Sequence, residues 1–156
     1  MGTDIKAFQD YYADDYSHCY GCGRLNEYGL QIKSYWDGDE SVCRIIPKHY
    51  YSGGKADILY GGLIASLMDC HGAGTAAAAK AREQNIEMVV GAMPRFVTAS
   101  LKVDYLVPTP VNIEIELRGT VKEIKGKKVT VGVALSADEK ICARGELIMI
   151  QLPEPQ

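Results

Sequence analysis

The strongest constraint on the fold of this chain is one long helical pattern that runs from Tyr60 to about Gln84. The residues that recur at helical spacing on one side of it are Leu63, Ile64, Leu67, Met68 and His71. The pattern continues through small residues from Ala73 to Ala81, and these let another surface approach the helix closely. A helix this apolar, with few charges before Lys80, has to be covered on most of its sides.

Outside the helix, alternation of apolar and polar residues predicts short strands. The first three predicted strands are Leu30–Tyr35, Ser41–Ile46 and Phe96–Val107. Three more follow at Ile113–Gly119, Val129–Leu135 and Ile141–Met149, and each of these places alternate residues on one face. No other element is available to cover the helix, so an antiparallel sheet of five or six strands must wrap it. The sequence therefore predicts an α+β fold.

Size and composition set the class of protein. The 156 residues suit one domain spanning 1–156, with residues 1–29 as an irregular segment packed on it. A net charge of −3 argues against nucleic-acid or anionic-membrane partners. The sequence shows no apolar run of bilayer length and no apolar signal core near its start. With five cysteines, an odd number, we expect a cytoplasmic protein with reduced thiols, of which Cys43 and Cys142 are buried.

Two glycines, Gly61 and Gly62, stand where the helix begins. The backbone N–H groups of a first helical turn have no partner within the helix, and the helix dipole adds positive potential there. Because glycine has no Cβ, a ligand can reach these N–H groups. This end of the helix is therefore suited to a carbonyl oxygen that becomes an oxyanion.

Asp69 lies inside the helical pattern among apolar residues, where an unpaired carboxylate is costly. It is either a catalytic carboxylate or a structural one that bonds a backbone group or a Lys. Gly61 and Asp69 are eight residues apart, about 12 Å along a helix. One helix cannot easily present both to one carbonyl carbon, so a site that uses both should lie between two subunits.

These residues resemble a known family. Gly61–Asp69 is similar to the HGG-x(6)-D signature of hotdog-fold acyl-CoA thioesterases of the phenylacetate-degradation type, with Tyr60 in place of the His. The Cys19–Gly23 stretch, with Asn26, Gly29 and Leu30, resembles the family's "C-x-x-CG…N-x-x-GL" opening. The stretch 97–108 resembles its "T-A-x-L-x-V-x-Y-x-x-P" strand. Together the matches cover roughly residues 18 to 150.

The resemblance implies a hotdog fold that pairs into homodimers and often homotetramers, and hydrolysis of acyl-CoA to a carboxylic acid and free CoA. Asp69 would be the nucleophile or the general base, and the Gly61 N–H would polarise the carbonyl. Thr98 would hold the water or orient the carboxylate, unless it is an ordinary β-branched strand residue. Tyr60, Gly62 and Ser66 would bind substrate. We expect no cofactor beyond the CoA of the substrate, and no metal.

Several alternatives remain open at this stage. Tyrosine cannot reproduce the protonation of the His that Tyr60 replaces, so a non-catalytic sensor of acyl-CoA is the main alternative. A hotdog hydratase would need an Asp–His pair, and His71 two residues after Asp69 points elsewhere, as a core or interface histidine would. Cys19 and Cys22 beside His18 have the spacing of half a zinc site, but no second pair follows, and a packed turn is the preferred interpretation.

Overall fold

The computed structural model describes residues 5–154 and contains one α-helix, six strands and three short 3-10 helices. The helix, α1, spans Gly61–Glu83. The strands are β1 (Tyr35–Asp37), β2 (Glu40–Ile45), β3 (Phe96–Tyr105), β4 (Ile115–Lys125), β5 (Lys128–Ala137) and β6 (Lys140–Gln151). The 3-10 helices are Phe8–Tyr11, Asp14–Tyr16 and His49–Tyr51.

All six strands form one antiparallel sheet in the order β1-β2-β4-β5-β6-β3, and α1 packs against β3 to β6. This is the predicted hotdog architecture, one long helix against a six-stranded sheet. The three-residue β1 and the ten-residue β3 are the two edges. None of the helices within residues 5–154 combines the length and apolar character that a bilayer crossing requires.

The core lies between one face of α1 and the inner face of the sheet. Its fully buried members include Leu67 and Met68 from the helix and Leu117, Leu135 and Leu147 from the strands. Glycines set the close approach of the two layers. A Cβ on Gly72 would lie 2.7 Å from the Leu147 side chain, and one on Gly145 would lie 2.6 Å from the Met68 sulfur.

The small-residue half of α1 is covered by the N-terminal segment of the same chain. Ala76 to Ala81 are buried, and Phe8 packs against this stretch. Gly74 lies directly beneath Gln9, whose Nε2 would be 3.1 Å from an added Cβ. The close approach predicted from the small residues is therefore confirmed.

The predicted strand Leu30–Tyr35 is wrong for most of its length, because only Tyr35 lies in a strand. The backbone N–H groups of Leu30 and Ile32 donate to the carbonyls of Tyr20 and Gly21, so the N-terminal segment uses them. Gln31 between them has a φ of 50°, which no strand allows. The alternation of apolar and polar residues arises because one side of this segment packs on the core, although the segment does not pair as a strand.

The predicted common face of Ile141, Ala143, Gly145, Leu147 and Met149 is wrong at Ile141, which is exposed. Leu135 pairs with Ala143, whereas the next residue, Ser136, pairs with Ile141, so Cys142 is an extra residue in β6. Such a bulge shifts the alternation by one. Cys142 and Ala143 are consequently both buried. Cys43 is also buried, as predicted.

His71 is a buried core residue within a polar network, as the sequence suggested. Its Nδ1 lies 2.9 Å from Ser34 Oγ and its Nε2 lies 3.0 Å from Ser41 Oγ. Ser41 is in turn 2.6 Å from Thr75 Oγ1, and Gln9 hydrogen-bonds to Ser34. Burial lowers the pKa of His71 to about 4, so the ring is neutral near pH 7. The network joins the N-terminal segment, β2 and α1.

Replacing Gly119 by Ala should break this network. The added Cβ would lie 2.3 Å from Ser41 Oγ, 2.9 Å from Thr75 Oγ1 and 3.2 Å from His71 Nε2. We expect the free energy of unfolding, measured in urea, to fall by about 1–3 kcal/mol, the usual cost of overpacking. Gly54→Ala is the matched control, because within residues 5–154 no atom beyond its chain neighbours lies within 4 Å of its added Cβ. Equal stability of the two variants would contradict this account.

Candidate active site

Asp69 is half-buried on α1 and lines a cavity of about 600 Å³. The Thr98 hydroxyl of β3 donates a hydrogen bond to Asp69 Oδ1. Among residues 5–154, no backbone group and no Lys or Arg pairs with this carboxylate. The backbone or Lys partner that a structural Asp69 would need is therefore absent among residues 5–154, and the hydrogen-bond partner of Asp69 is Thr98.

A β-bulge brings Thr98 to Asp69. Thr98 pairs with Met149 and Ser100 pairs with Ile148, so Ala99 is an extra residue in β3. Without the bulge, Thr98 would share a face with Lys102 and point away from the helix, because side chains alternate along a strand. With it, Thr98 lies on the same side as Leu101 and Val103, which pack on the core. Bulges commonly re-aim side chains in this way.

The wall of this cavity is built by parts of the chain that are far apart in sequence. The N-terminal segment contributes Tyr12 and Tyr16, and α1 contributes Ala73 and Ala77. The remaining lining residues include Met93, Pro94, Arg95, Phe96, Val97 and Leu152. Most of these side chains are apolar, and Arg95 is held over the Tyr16 ring, 4.4 Å from its centroid. Apolar walls around a few polar groups are typical of small-molecule sites.

The N-terminal end of α1 carries the Gly61 and Gly62 amides. The Leu63 and Ile64 amides donate to the Tyr60 carbonyl, whereas within the described chain no acceptor lies against those of Gly61 and Gly62. Tyr105 of β3 donates to the Gly61 carbonyl at 2.8 Å and fixes the helix start against the sheet. The pair of amides is therefore available to a bound group, as a helix N-terminus allows.

Tyr60, Gly62 and Ser66 line a second cavity, of about 330 Å³. Three more tyrosines, Tyr20, Tyr50 and Tyr51, complete its aromatic wall. The Tyr60 ring covers Gly62 so closely that an added Cβ would lie 2.4 Å from it. Ser66 donates to the Gly62 carbonyl at 2.9 Å, so its hydroxyl oxygen can serve a ligand as an acceptor.

Within one chain, the predicted site residues thus fall into two groups. Asp69 and Thr98 meet in the larger cavity, and Tyr60, Gly62 and Ser66 meet in the smaller one. Gly61 lines neither of these two cavities. Gly61 and Asp69 stand eight residues apart on α1 and do not share either cavity within one chain.

A cluster of three cysteines, which the sequence pattern did not reveal, lies beside Asp69. Cys19 and Cys22 of the N-terminal segment meet Cys70 of α1, and the three sulfurs all lie within 4.8 Å of one another. Hydrogen bonds from Cys22 and Cys70, together with the amides of Cys22 and Gly21, hold the pKa of Cys19 far below its ordinary range. The bond to Cys19 raises the pKa of Cys22 to about 12. The sequence contained one indication of this cluster, a third cysteine, Cys70, one residue after Asp69 on the predicted helix.

Comparison with known proteins places this geometry in a family. The profile of the thioesterase superfamily matches residues 56–143. A thioesterase superfamily protein of Shewanella loihica is 44% identical, with 90% of this chain and 98% of that chain aligned and a TM-score of 0.69. No match was found among curated proteins.

More distant structures share the fold. The PaaI protein of the E. coli phenylacetic acid degradation operon is 14% identical, with 80% of this chain and 81% of that chain aligned and a TM-score of 0.64. Mouse thioesterase superfamily member 2 is 17% identical over 80% of this chain and 84% of its own, with a TM-score of 0.60. On the profile match and the Shewanella relative, this chain belongs to the thioesterase superfamily.

Proposed function

We propose that this protein hydrolyses acyl-CoA thioesters, with Asp69 as the catalytic carboxylate. The observation that carries the proposal is a carboxylate that accepts a hydrogen bond from Thr98 inside a large, mainly apolar cavity. Superfamily membership supports thioester hydrolysis as the reaction class. The PaaI neighbour comes from a phenylacetic acid degradation operon, which is compatible with an acyl or aryl-acyl substrate.

If Asp69 is the general base, it takes a proton from a water molecule whose oxygen adds to the thioester carbonyl carbon, and the C–S bond then breaks. If Asp69 is the nucleophile, it attacks that carbon itself, the C–S bond breaks, and water then hydrolyses the acyl–Asp69 intermediate. In both cases a proton reaches the departing CoA sulfur. Thr98 orients the carboxylate through its hydroxyl. The developing oxyanion is stabilised by the N–H of Gly61, with that of Gly62 beside it. The acyl group occupies the apolar cavity, and Tyr60 and Ser66 contact the rest of the substrate at the helix start.

The site is completed by a second copy of the chain. Asp69 and the Gly61 amide are too far apart on one helix, and antiparallel helices across a two-fold axis would bring the Gly61 of one subunit to the Asp69 of the other. The edge strand β3 supports this arrangement, because it is ten residues long and, in the part of the chain that the structure describes, pairs only with β6. Its exposed Val97 and Tyr105 would be covered by the partner. We therefore propose a homodimer, or a dimer of dimers, in the cytoplasm.

Release of free CoA thiol from a panel of acyl-CoAs of differing chain length, with aryl-acyl members, tests this function. We expect turnover with at least one class of acyl-CoA, favouring apolar acyl groups because the cavity wall is apolar. Tight binding without thiol release would instead support a sensor function, which is the main alternative because Tyr60 stands in place of the signature His. If no member of the panel is bound and none releases thiol, the choice of acyl-CoA as substrate is contradicted.

A further inference from the structure

Three cysteine sulfurs converge on one point although they come from two distant parts of the chain. Cys19 and Cys22 belong to a turn in the N-terminal segment, and Cys70 belongs to the middle of α1. Zinc–sulfur bonds of about 2.3 Å in a tetrahedron place the sulfurs ~3.8 Å apart. The sulfurs of Cys19 and Cys70 are 3.7 Å apart, and all three lie within 4.8 Å of one another. One pair of sulfurs is therefore at the tetrahedral distance, and the Cys22 sulfur lies close enough to both to bind the same ion.

The backbone around the cluster is shaped to allow this approach. A Cβ on Gly21 would lie 2.3 Å from the Cys70 sulfur, so only glycine lets the turn reach the helix. A Cβ on Gly23 would meet the Cys19 amide nitrogen at 2.4 Å. The turn therefore has no room for a side chain at either glycine, and its tight path brings Cys19 and Cys22 to Cys70.

We propose that Cys19, Cys22 and Cys70 bind one Zn²⁺ ion as thiolates, with a water molecule in the fourth position. Cys22 and Cys70 are buried while Cys19 is exposed, and all three line the larger cavity, so the fourth position faces that cavity. Thiolates select soft metals, and Zn²⁺ accepts three protein ligands and a water in tetrahedral geometry. An iron–sulfur cluster would ordinarily need a fourth cysteine.

The ion would fasten the N-terminal segment to α1 one residue beyond Asp69, and so stabilise the cavity wall that Tyr12 and Tyr16 form. This site revises the expectation of a metal-free protein. It does not depend on the proposed function, because the same three sulfurs would hold the ion whether or not the cavity turns over a thioester. A disulfide explains the geometry less well, since it joins only two sulfurs, at about 2.05 Å, and leaves the third without a role.

Metal analysis of the tag-free full chain, purified under reducing conditions, tests the site. We expect one equivalent of Zn²⁺ per chain by elemental mass spectrometry. After removal of zinc, titration with Co²⁺ alone should give a near-ultraviolet thiolate-to-cobalt band that saturates at one equivalent. Cys22→Ser and Cys70→Ser should lose this band, whereas Cys142→Ala, which removes a thiol outside the cluster, should keep it.

Gly21→Ala is the sharper variant because it keeps all five thiols and disturbs only their convergence. We expect its Co²⁺ affinity to fall by about 10–100-fold, as when a ligand is misplaced but not removed. The proposal is overturned if the reduced wild-type chain gives no thiolate band, or if the band persists in both serine variants. A disulfide between two of the three cysteines in freshly purified metal-free protein would also overturn it, and would assign the cluster to redox chemistry.

Discussion

Asp69→Asn is expected to lower kcat for acyl-CoA hydrolysis by about 10²–10⁴-fold, the usual contribution of a general base, or by more if Asp69 is the nucleophile. Asparagine keeps the shape of the side chain and an oxygen that accepts the Thr98 hydrogen bond, but it cannot take up a proton. KM should change much less, because the carboxylate acts mainly on the transition state. Initial rates of thiol release over a range of substrate concentrations separate the two constants.

The matched control is Asp138→Asn, in the exposed β5–β6 turn, where the positive φ of 49° suits Asn as well as Asp. This variant should retain wild-type turnover. Gly61→Val should lose less turnover than Asp69→Asn. Thr98→Ala should lose the least, because solvent can partly replace a positioning hydroxyl. If Asp69→Asn turns over every accepted thioester at nearly the wild-type rate, Asp69 is not the catalytic group, and the sensor function or another residue must replace it.

The architecture was predictable because its main determinants are local. A 23-residue helix with an apolar face and a small-residue stretch admits few coverings, and the alternation in β5 matches its buried Val129, Val131, Val133 and Leu135. The details that failed depend on pairing partners. Bulges at Ala99 and Cys142 change which residues face the helix, and nothing in the local pattern marks them. The register of a strand depends on its neighbours as well as on its own sequence.

The site was predictable where its residues stand close together in sequence. Gly61, Gly62 and Asp69 lie on one helix, so their spacing alone predicts that one chain separates them. The cysteine cluster was not predictable in this way, since Cys19 and Cys70 are 51 residues apart and meet only through tertiary packing. The cavity wall was not predictable for the same reason, because Tyr12, Phe96 and Leu152 come from three separate regions of the chain. A pair of cysteines at metal spacing is therefore best judged after every other cysteine has been placed.

The separation of Gly61 and Asp69 leads to a second large expected effect, complementation between subunits. Consider a heterodimer of one Asp69→Asn subunit and one Gly61→Val subunit, isolated after co-expression with two different affinity tags. If each site takes Gly61 from one subunit and Asp69 from the other, one of its two sites contains both native residues. The heterodimer should then regain about half of wild-type turnover, because one of the two equivalent sites of a symmetric dimer is intact. Each variant homodimer, by contrast, should remain strongly impaired.

The reciprocal heterodimer makes the test decisive. A subunit that carries both Asp69→Asn and Gly61→Val, paired with a wild-type subunit, should be impaired at both sites, because each site then receives one altered residue. If each site instead lies within one chain, the result reverses: this pairing keeps about half of wild-type turnover, and the first heterodimer gains nothing over the variant homodimers. A doubly tagged wild-type dimer controls for the tags, and thermal denaturation of Gly61→Val controls for the tight fit of its new side chain against the Tyr105 ring, 3.3 Å from an added Cβ. That reversed pattern would assign Gly61 and Asp69 of one chain to the same site, even if hydrolysis of acyl-CoA were established.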